Sequence, residues 1–323
     1  MSNNSIATTA SANFSGRDLT AALAVVVIWG LNFVAMKLAL RHFTPFQLGA
    51  WRYVFAVLPL VLLVKPPRVH WKWVILYGLC QGVGQFGFLF VALKVGMTAA
   101  LASVLMQGQV FFTALFGYLL LGERLSGALK IGLTLAAIGL ACFAMNYVRP
   151  AGGAAMATTA LGFALNIMAA AMWAASNIVA RKTQQSARGE FDALGFVVWS
   201  SLVPIVPFTL FTLAADDPGL RWQWTQATWG SWVAVAYLGW IATITAYALW
   251  TWLIKRHAAS RVAPFGLGVP VVGIAAGMVT LGEVVTGWQW AGIVFVVAAL
   301  VTVMLGPRIM AAVFKSGHVT PHT

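Results

Sequence analysis

Charge is what this 323-residue chain has least of: 8% of its residues are charged, and only seven are Asp or Glu. A soluble domain carries about 25% charged residues, so the sequence cannot cover a water-facing surface, and the soluble classes are excluded. Cysteine is scarce as well. Cys80 and Cys142 both fall inside apolar runs, which rules out a disulfide framework. No Asp, Glu or His stands in the middle of a long apolar run, where proton relays place such groups. The same lack leaves no nucleophile with its base and no metal cluster for intramembrane catalysis. The chain therefore reads as no enzyme, with no metal and no cofactor. A Walker-type loop is missing too, which excludes ATP drive within this chain.

What is present is apolar: 61% of residues are hydrophobic, and the mean hydropathy is +0.86. Apolar blocks about 20 residues long, the length that spans a bilayer as a helix, recur at 19–40, 46–65, 71–94, 98–120, 126–147, 158–182, 192–214, 229–254, 260–280 and 287–307. They predict an all-α integral membrane protein of ten transmembrane helices, the first an uncleaved span. Residues 1–16 are expected to be a disordered tail and 308–323 a cytoplasmic one. The net charge of +13 comes from residues scattered in the breaks between blocks, too few for a nucleic-acid-binding face. With the N-terminus inside, fourteen of the twenty Lys and Arg fall on the inner side. The other six, Lys37, Arg41, Arg52, Lys94, Arg149 and Arg221, fall outside. The positive-inside bias places both termini in the cytoplasm.

The chain repeats itself. Gly122-Glu123-Arg124-Leu125-Ser126-Gly127, followed by Gly132, returns 160 residues later as Gly282-Glu283-Val284-Val285-Thr286-Gly287, followed by Gly292. Tyr77 matches Tyr237 and Gly117 matches Gly277 at that offset, while Trp29 matches Trp173 at an offset of 144. The repeats cover about 17–150 and 155–307, five spans each. An odd number of spans turns the second copy upside down, the architecture of many secondary transporters, whose site lies near the midplane between the copies.

Uncharged polar side chains inside apolar helices are the candidates for that site: Asn32, Gln81 and Gln85 at i,i+4, Gln107, Gln109, Ser176 and Asn177. A carboxamide offers donors and acceptors without the cost of a charge, which suits a zwitterion, although interhelical bonding uses the same groups. Trp29, Trp173, Tyr247 and Trp250 lie within spans and could wall a cavity or pack helices. Trp71, Trp73, Trp222, Trp224, Trp288 and Trp290 flank span ends and read as interfacial belts. Arg52, about a turn and a half into the second helix, is expected to snorkel outward. Glu123 and Glu283 read as helix-end caps or as gates, and Pro264 and Pro270 as hinges. Gly82-Val83-Gly84-Gln85-Phe86-Gly87 matches a dinucleotide-binding pattern by letter but lacks its strand–turn–helix setting. Gly78 with Gly82, and Gly273 with Gly277, are small residues four apart that admit close helix approach.

Taken together, Trp29-Gly30-Leu31-Asn32-Phe33, Arg52, Gln85-Phe86, Leu101-Ala102-Ser103, Gln107, Phe111-Phe112-Thr113 and Gly122-Glu123-Arg124-Leu125 resemble the EamA-type branch of the drug/metabolite transporter superfamily. So do Trp173, Asn177, Trp199, Pro204, Tyr247, Trp250, Arg261-Val262-Ala263-Pro264, Pro270-Val271-Val272-Gly273 and Glu283 of the second copy. Within it the pattern is similar to exporters of cysteine and O-acetylserine, with YddG-type aromatic amino-acid exporters as cousins. The resemblance implies ten helices in an inverted pair of five, a central cavity lined by helices 1, 3, 4, 6, 8 and 9, and export of amino acids or related metabolites across an inner membrane. Many members carry Pro mid-way along helix 4, where this chain reads Gln109-Val110. The expected partners are a small-molecule substrate and the lipid bilayer, with the monomer as functional unit. Facilitated diffusion by alternating access leads; export of cationic drugs or nucleosides, proton coupling and a channel stay open as alternatives.

Overall fold

The structure is a computed structural model that describes residues 14–122, 126–148, 158–187, 191–257 and 259–316, all helix and turn with no strand among them. In chain order the helices are α1 (Gly16–Ala39), α2 (Pro45–Val57), α3 (Trp71–Lys94), α4 (Ala99–Leu120), α5 (Gly127–Val148), α6 (Ala160–Ser186), α7 (Ala193–Ala215), α8 (Trp229–Ile254), α9 (Ala263–Leu281) and α10 (Gly287–Ser316). Among the described residues nine are long and apolar enough to cross a membrane; the tenth, α2, is cut short. Pro59 has no N–H to give and forces Leu58 into extended backbone at ψ 135°, so α2 stops at Val57. The indole N–H of Trp240 reaches the stranded carbonyl of Leu58 at 2.9 Å, and that of Trp199 reaches Val64 O at 3.0 Å. Such donors are what irregular backbone requires at membrane depth. The expected tail over 1–16 falls mostly outside the described residues, but Ser15 opens α1 with a capping box closed by Asp18.

The duplication is built into the backbone. α3 is π-helical over Gly78–Phe86 and α8 over Tyr237–Thr245, corresponding stretches of the two copies. α4 carries a 3₁₀ turn at Met106–Gly108, and α9 opens with one at Ala263–Leu267. The break in α4 thus forms without the missing proline. Both helices stop on a left-handed glycine, Gly122 at φ +67° and Gly282 at +63°, a conformation that needs the absent Cβ.

The copies interlock. α5 and α10 run antiparallel, with Gly132 beside Ala299 and Val303, and Gly139 beside Gly292 and Val296. α2 and α7 are antiparallel as well: Thr44 at the start of α2 donates to Asp216 just past the end of α7. α1 packs on α9 and α8 of the other copy, while α6 packs on α4 and α3. A Cβ on Gly139 would sit 3.0 Å from the carbonyl oxygen of Gly292, which cannot move without the helix. Gly139→Ala is therefore expected to cost about 1–3 kcal/mol and to lower the thermal unfolding temperature in detergent. Gly230→Ala, with open space at its Cβ, is expected to leave that temperature unchanged.

Two expectations about side chains need correcting. Trp224 does not stand in an interfacial belt alone: it is half-buried against Trp51, with ring centroids 5.1 Å apart, and against Trp232 at 6.3 Å. Arg52 does not snorkel.

Candidate substrate cavity

A cavity of about 350 Å³ lies between the two copies. Its wall is drawn from α1, α3, α4, α6, α8 and α9 as the resemblance implied, and also from α2 through Arg52 and α10 through Met304. Nine of the candidate residues line it: Trp29, Asn32, Gln85, Gln107, Gln109, Trp173, Asn177, Tyr247 and Trp250. Two do not. Gln81 stands behind the wall, donating to the Tyr247 hydroxyl at 2.9 Å, and Ser176 is buried and donates to Trp173 O at 2.7 Å.

The aromatic side is rigid. Trp29 stacks edge-on to Tyr247 with centroids 5.4 Å apart and tilts against Trp250 at 5.3 Å, while its indole N–H is held by Ala242 O at 3.1 Å. That carbonyl lies in the π-helical part of α8, where i→i+5 spacing loosens the usual ladder and frees backbone groups for such bonds. Opposite, Asn177 donates to Gln109 Oε1 at 2.8 Å and to Thr113 Oγ1 at 3.2 Å, and Gln107 reaches Gly266 O at 3.4 Å. Bonds of this kind between helices are worth about 0.6 kcal/mol each. They position the amides without exhausting their capacity.

Three polar groups at the cavity are unspent. The carbonyl oxygens of Asn32 and Gln85 are buried with no hydrogen-bond partner. Arg52 is 2% exposed; its Nη2 donates to Thr243 Oγ1 at 3.2 Å and its guanidinium lies 3.8 Å from the centre of the Phe86 ring. Nε and Nη1 have no partner. An arginine at membrane depth costs about 2.5–3.5 kcal/mol at least. A cation–π contact worth about 2 kcal/mol and one charge-assisted hydrogen bond to the Thr243 hydroxyl are of the same size as that cost, yet they leave two of the three guanidinium nitrogens without an acceptor. The expectation of snorkelling fails because α2 packs on α7 and α8, so the residue faces the interior of the bundle.

The lining continues from mid-membrane to Ala263, Gly266, Leu267 and Met304, toward the face where α1 begins. There the Asp18 carboxylate on α1 lies 3.1 Å from Nε of Arg256, where the helix of α8 runs out, and 3.1 Å from Nε2 of His257. The opposite face is shut. Gly30 of α1 meets Val272 and Gly273 of α9, and Gly273 meets Ser103 of α4, all so close that no Cβ would fit. Above this contact the Glu283 carboxylate accepts the N–H groups of Ala99 and Ala100 at 2.7 and 2.8 Å, while Thr98 caps Leu101. Lys37 donates to Leu93 O and Lys94 to Leu40 O, both at 2.9 Å, around a shallow vestibule that Glu283 shares. Of the expected gating residues, Glu283 is thus a helix cap acting across the two copies. Pro264 lies in the 3₁₀ opening of α9, and Pro270 in the first turn of the α-helix that follows. Glu123 lies outside the described residues.

The model of the EamA-like transporter family matches residues 18–145 and again 160–305. The chain belongs to this family. This EamA-like transporter is 38% identical to a "Probable amino-acid metabolite efflux pump" of Salmonella typhimurium, over 94% of this chain and the whole of that one. It is 35% identical to a protein of the same name from Escherichia coli, over 93% of this chain and 98% of that one. A protein of known crystal structure superposes with a TM-score of 0.57 at 20% identity, covering 91% of this chain and 98% of the other, which bears on the fold alone. The chain is a multi-pass membrane transporter. Besides Arg52, sequence reasoning passed over Phe86, Ser103 and Met106 as site residues of the EamA-like transporter. For Arg52 a signal was available: an ionisable residue inside a span is a functional candidate by default.

Proposed function

We propose that this protein exports amino acids and related small metabolites across the inner membrane, alternating access to the cavity between its two five-helix copies, about residues 17–150 and 155–307. The observation that carries the reading is the cavity itself: amide groups and indole walls meet in one space of about 350 Å³, shared by both copies. That is room for a small zwitterion with its shell of polar contacts. The names borne by the relatives in Salmonella and Escherichia coli agree with it.

Both termini face the cytoplasm in this reading, so the cavity loads from the cytoplasm and the face shut by Glu283 is the outer one. Arg52, turned into the cavity, is no topology signal, which sharpens the positive-inside bias. Among the described lining residues none is a carboxylate or an imidazole, which supports a uniporter over a proton-coupled carrier. The two copies complete one site within a single chain embedded in lipid, so the monomer suffices. The work is transport and not catalysis.

Uptake of a labelled amino-acid panel into proteoliposomes tests this, with and without an imposed pH gradient. Saturable, trans-stimulated uptake that ignores the gradient is expected. Uptake driven by the gradient overturns the uniporter, linear flux overturns the carrier, and transport of cationic drugs or nucleosides alone overturns the substrate class.

A further inference from the structure

We propose that Arg52 anchors the substrate's carboxylate, while the carbonyl oxygens of Asn32 and Gln85 take its ammonium group. The inference rests on the reading of the cavity as the substrate site and gives that site its selectivity. A guanidinium is a permanent cation with five N–H donors arranged to bind carboxylate. Here one nitrogen is used, on Thr243 Oγ1, and Nε and Nη1 are idle although the side chain is buried in the cavity wall. No acid among the described lining residues competes for it.

The rest of the local geometry fixes the group in place. The Phe86 ring lies flat beneath the guanidinium carbon at 3.8 Å, and the Thr243 hydroxyl is itself tied to Leu238 O at 2.8 Å. Gly239, one turn earlier in the π-helical part of α8, has no Cβ because the backbone of α2 at Arg52 and Ala56 passes 3.0 Å from where one would be. The platform is therefore rigid and comes from α2, α3 and α8 together. Asn32 and Gln85 supply the opposite polarity: buried acceptors lacking a donor, which an ammonium provides. An amino acid satisfies all three groups at once. Its α-carboxamide loses the charge that Arg52 meets, and its decarboxylated amine leaves the guanidinium facing a second cation.

The transport test compares, for each L-amino acid of the panel, kcat/KM for the acid, its α-carboxamide and its decarboxylated amine. Wild type is expected to favour the acid over both about 100-fold or more. In Arg52→Gln that ratio is expected to fall to within several-fold, and in Arg52→Lys to lie between. The ratio is independent of how much protein is correctly folded. An unchanged ratio in Arg52→Gln, or a wild type indifferent to the carboxylate, overturns the anchor.

A second arm does not depend on transport. Purified wild type in detergent is titrated with amino acids, with simple carboxylates and with their amides, and the unfolding temperature is recorded. A rise given only by carboxylates, and absent in Arg52→Gln, is expected. No carboxylate effect in wild type, or the same effect in both proteins, overturns the anchor. Failure of every amino acid to enter wild-type vesicles, with this carboxylate response intact, falls on the proposed function and not on Arg52.

Discussion

Glu283→Ala is expected to open the shut face of the protein. The carboxylate holds the first two N–H groups of α4 from the end of α9, a chain segment more than 180 residues away. Hydrogen bonds to a charged group contribute about 1.5–3 kcal/mol each, and a carboxylate at a helix N-terminus gains a further few tenths from the dipole. Water replaces part of this when the side chain is removed, so a net shift of about 1.4–3 kcal/mol toward separation of α4 and α9 is a reasonable scale. That is a change of about ten- to a hundredfold in the population open at this face. A cysteine at Leu40, which is 4% exposed and lines the vestibule, reports it. With Cys80 and Cys142 replaced by alanine, labelling of Leu40→Cys by a membrane-impermeant maleimide is expected to accelerate at least tenfold when Glu283→Ala is added. Glu283→Gln, which keeps an acceptor and loses the charge, is expected to fall between. Equal labelling rates in all three backgrounds would mean that Glu283 caps a helix and holds nothing shut.

The second large effect is expected at Gly82. A Cβ there would overlap Cγ of Pro204 and lie 2.8 Å from its Cβ, in a ring that has no rotamer to retreat into. Pro204 also breaks α7 between Ala193–Ser200 and Ile205–Ala215, so α3 and α7 meet at points where neither helix can shift freely. Gly82→Val is expected to cost on the order of 3 kcal/mol, the upper end for overpacking a tight contact. Its signature is a broad loss of monodisperse protein on extraction, with a lowered unfolding temperature in what remains. Gly16→Val, with nothing near its Cβ, is the control. A Gly82→Val protein as stable as wild type would show that the helices do not approach this closely.

These two residues mark what a sequence can and cannot disclose. Gly78 with Gly82 and Gly273 with Gly277 are legible as small pairs because helical spacing puts residues four apart on one face. Their partners, Ser200 and Pro204 in one case and Ser103 and Ala100 in the other, are set by tertiary packing alone. Most spans were legible to within a few residues, since apolar length is a local property. α10 runs past its expected end to Ser316, and α2 falls short because Pro59 ends the helix inside the apolar block. Its indole partners come from elsewhere in the chain. Asn32, Gln85, Gln107 and Asn177 were legible as candidates because a polar side chain in an apolar helix needs a reason. Gln81 and Ser176 satisfy the same criterion but their bonds are made behind the wall, to Tyr247 and to the carbonyl of Trp173. Depth counted along the chain misplaced Arg52: a residue near a helix start can reach the surface only if its face points outward.

The central claim is that substrate passes through the cavity between the copies. Thiol modification of a single cysteine at Val110, a half-buried residue of its wall, tests this most directly in proteoliposomes of the variant lacking Cys80 and Cys142. Modification is expected to abolish amino-acid uptake, and excess transported amino acid is expected to slow the modification. A cysteine at Val279, 84% exposed on the outside of α9, is expected to do neither when modified. Full uptake by a Val110→Cys protein whose thiol is completely modified would contradict the account.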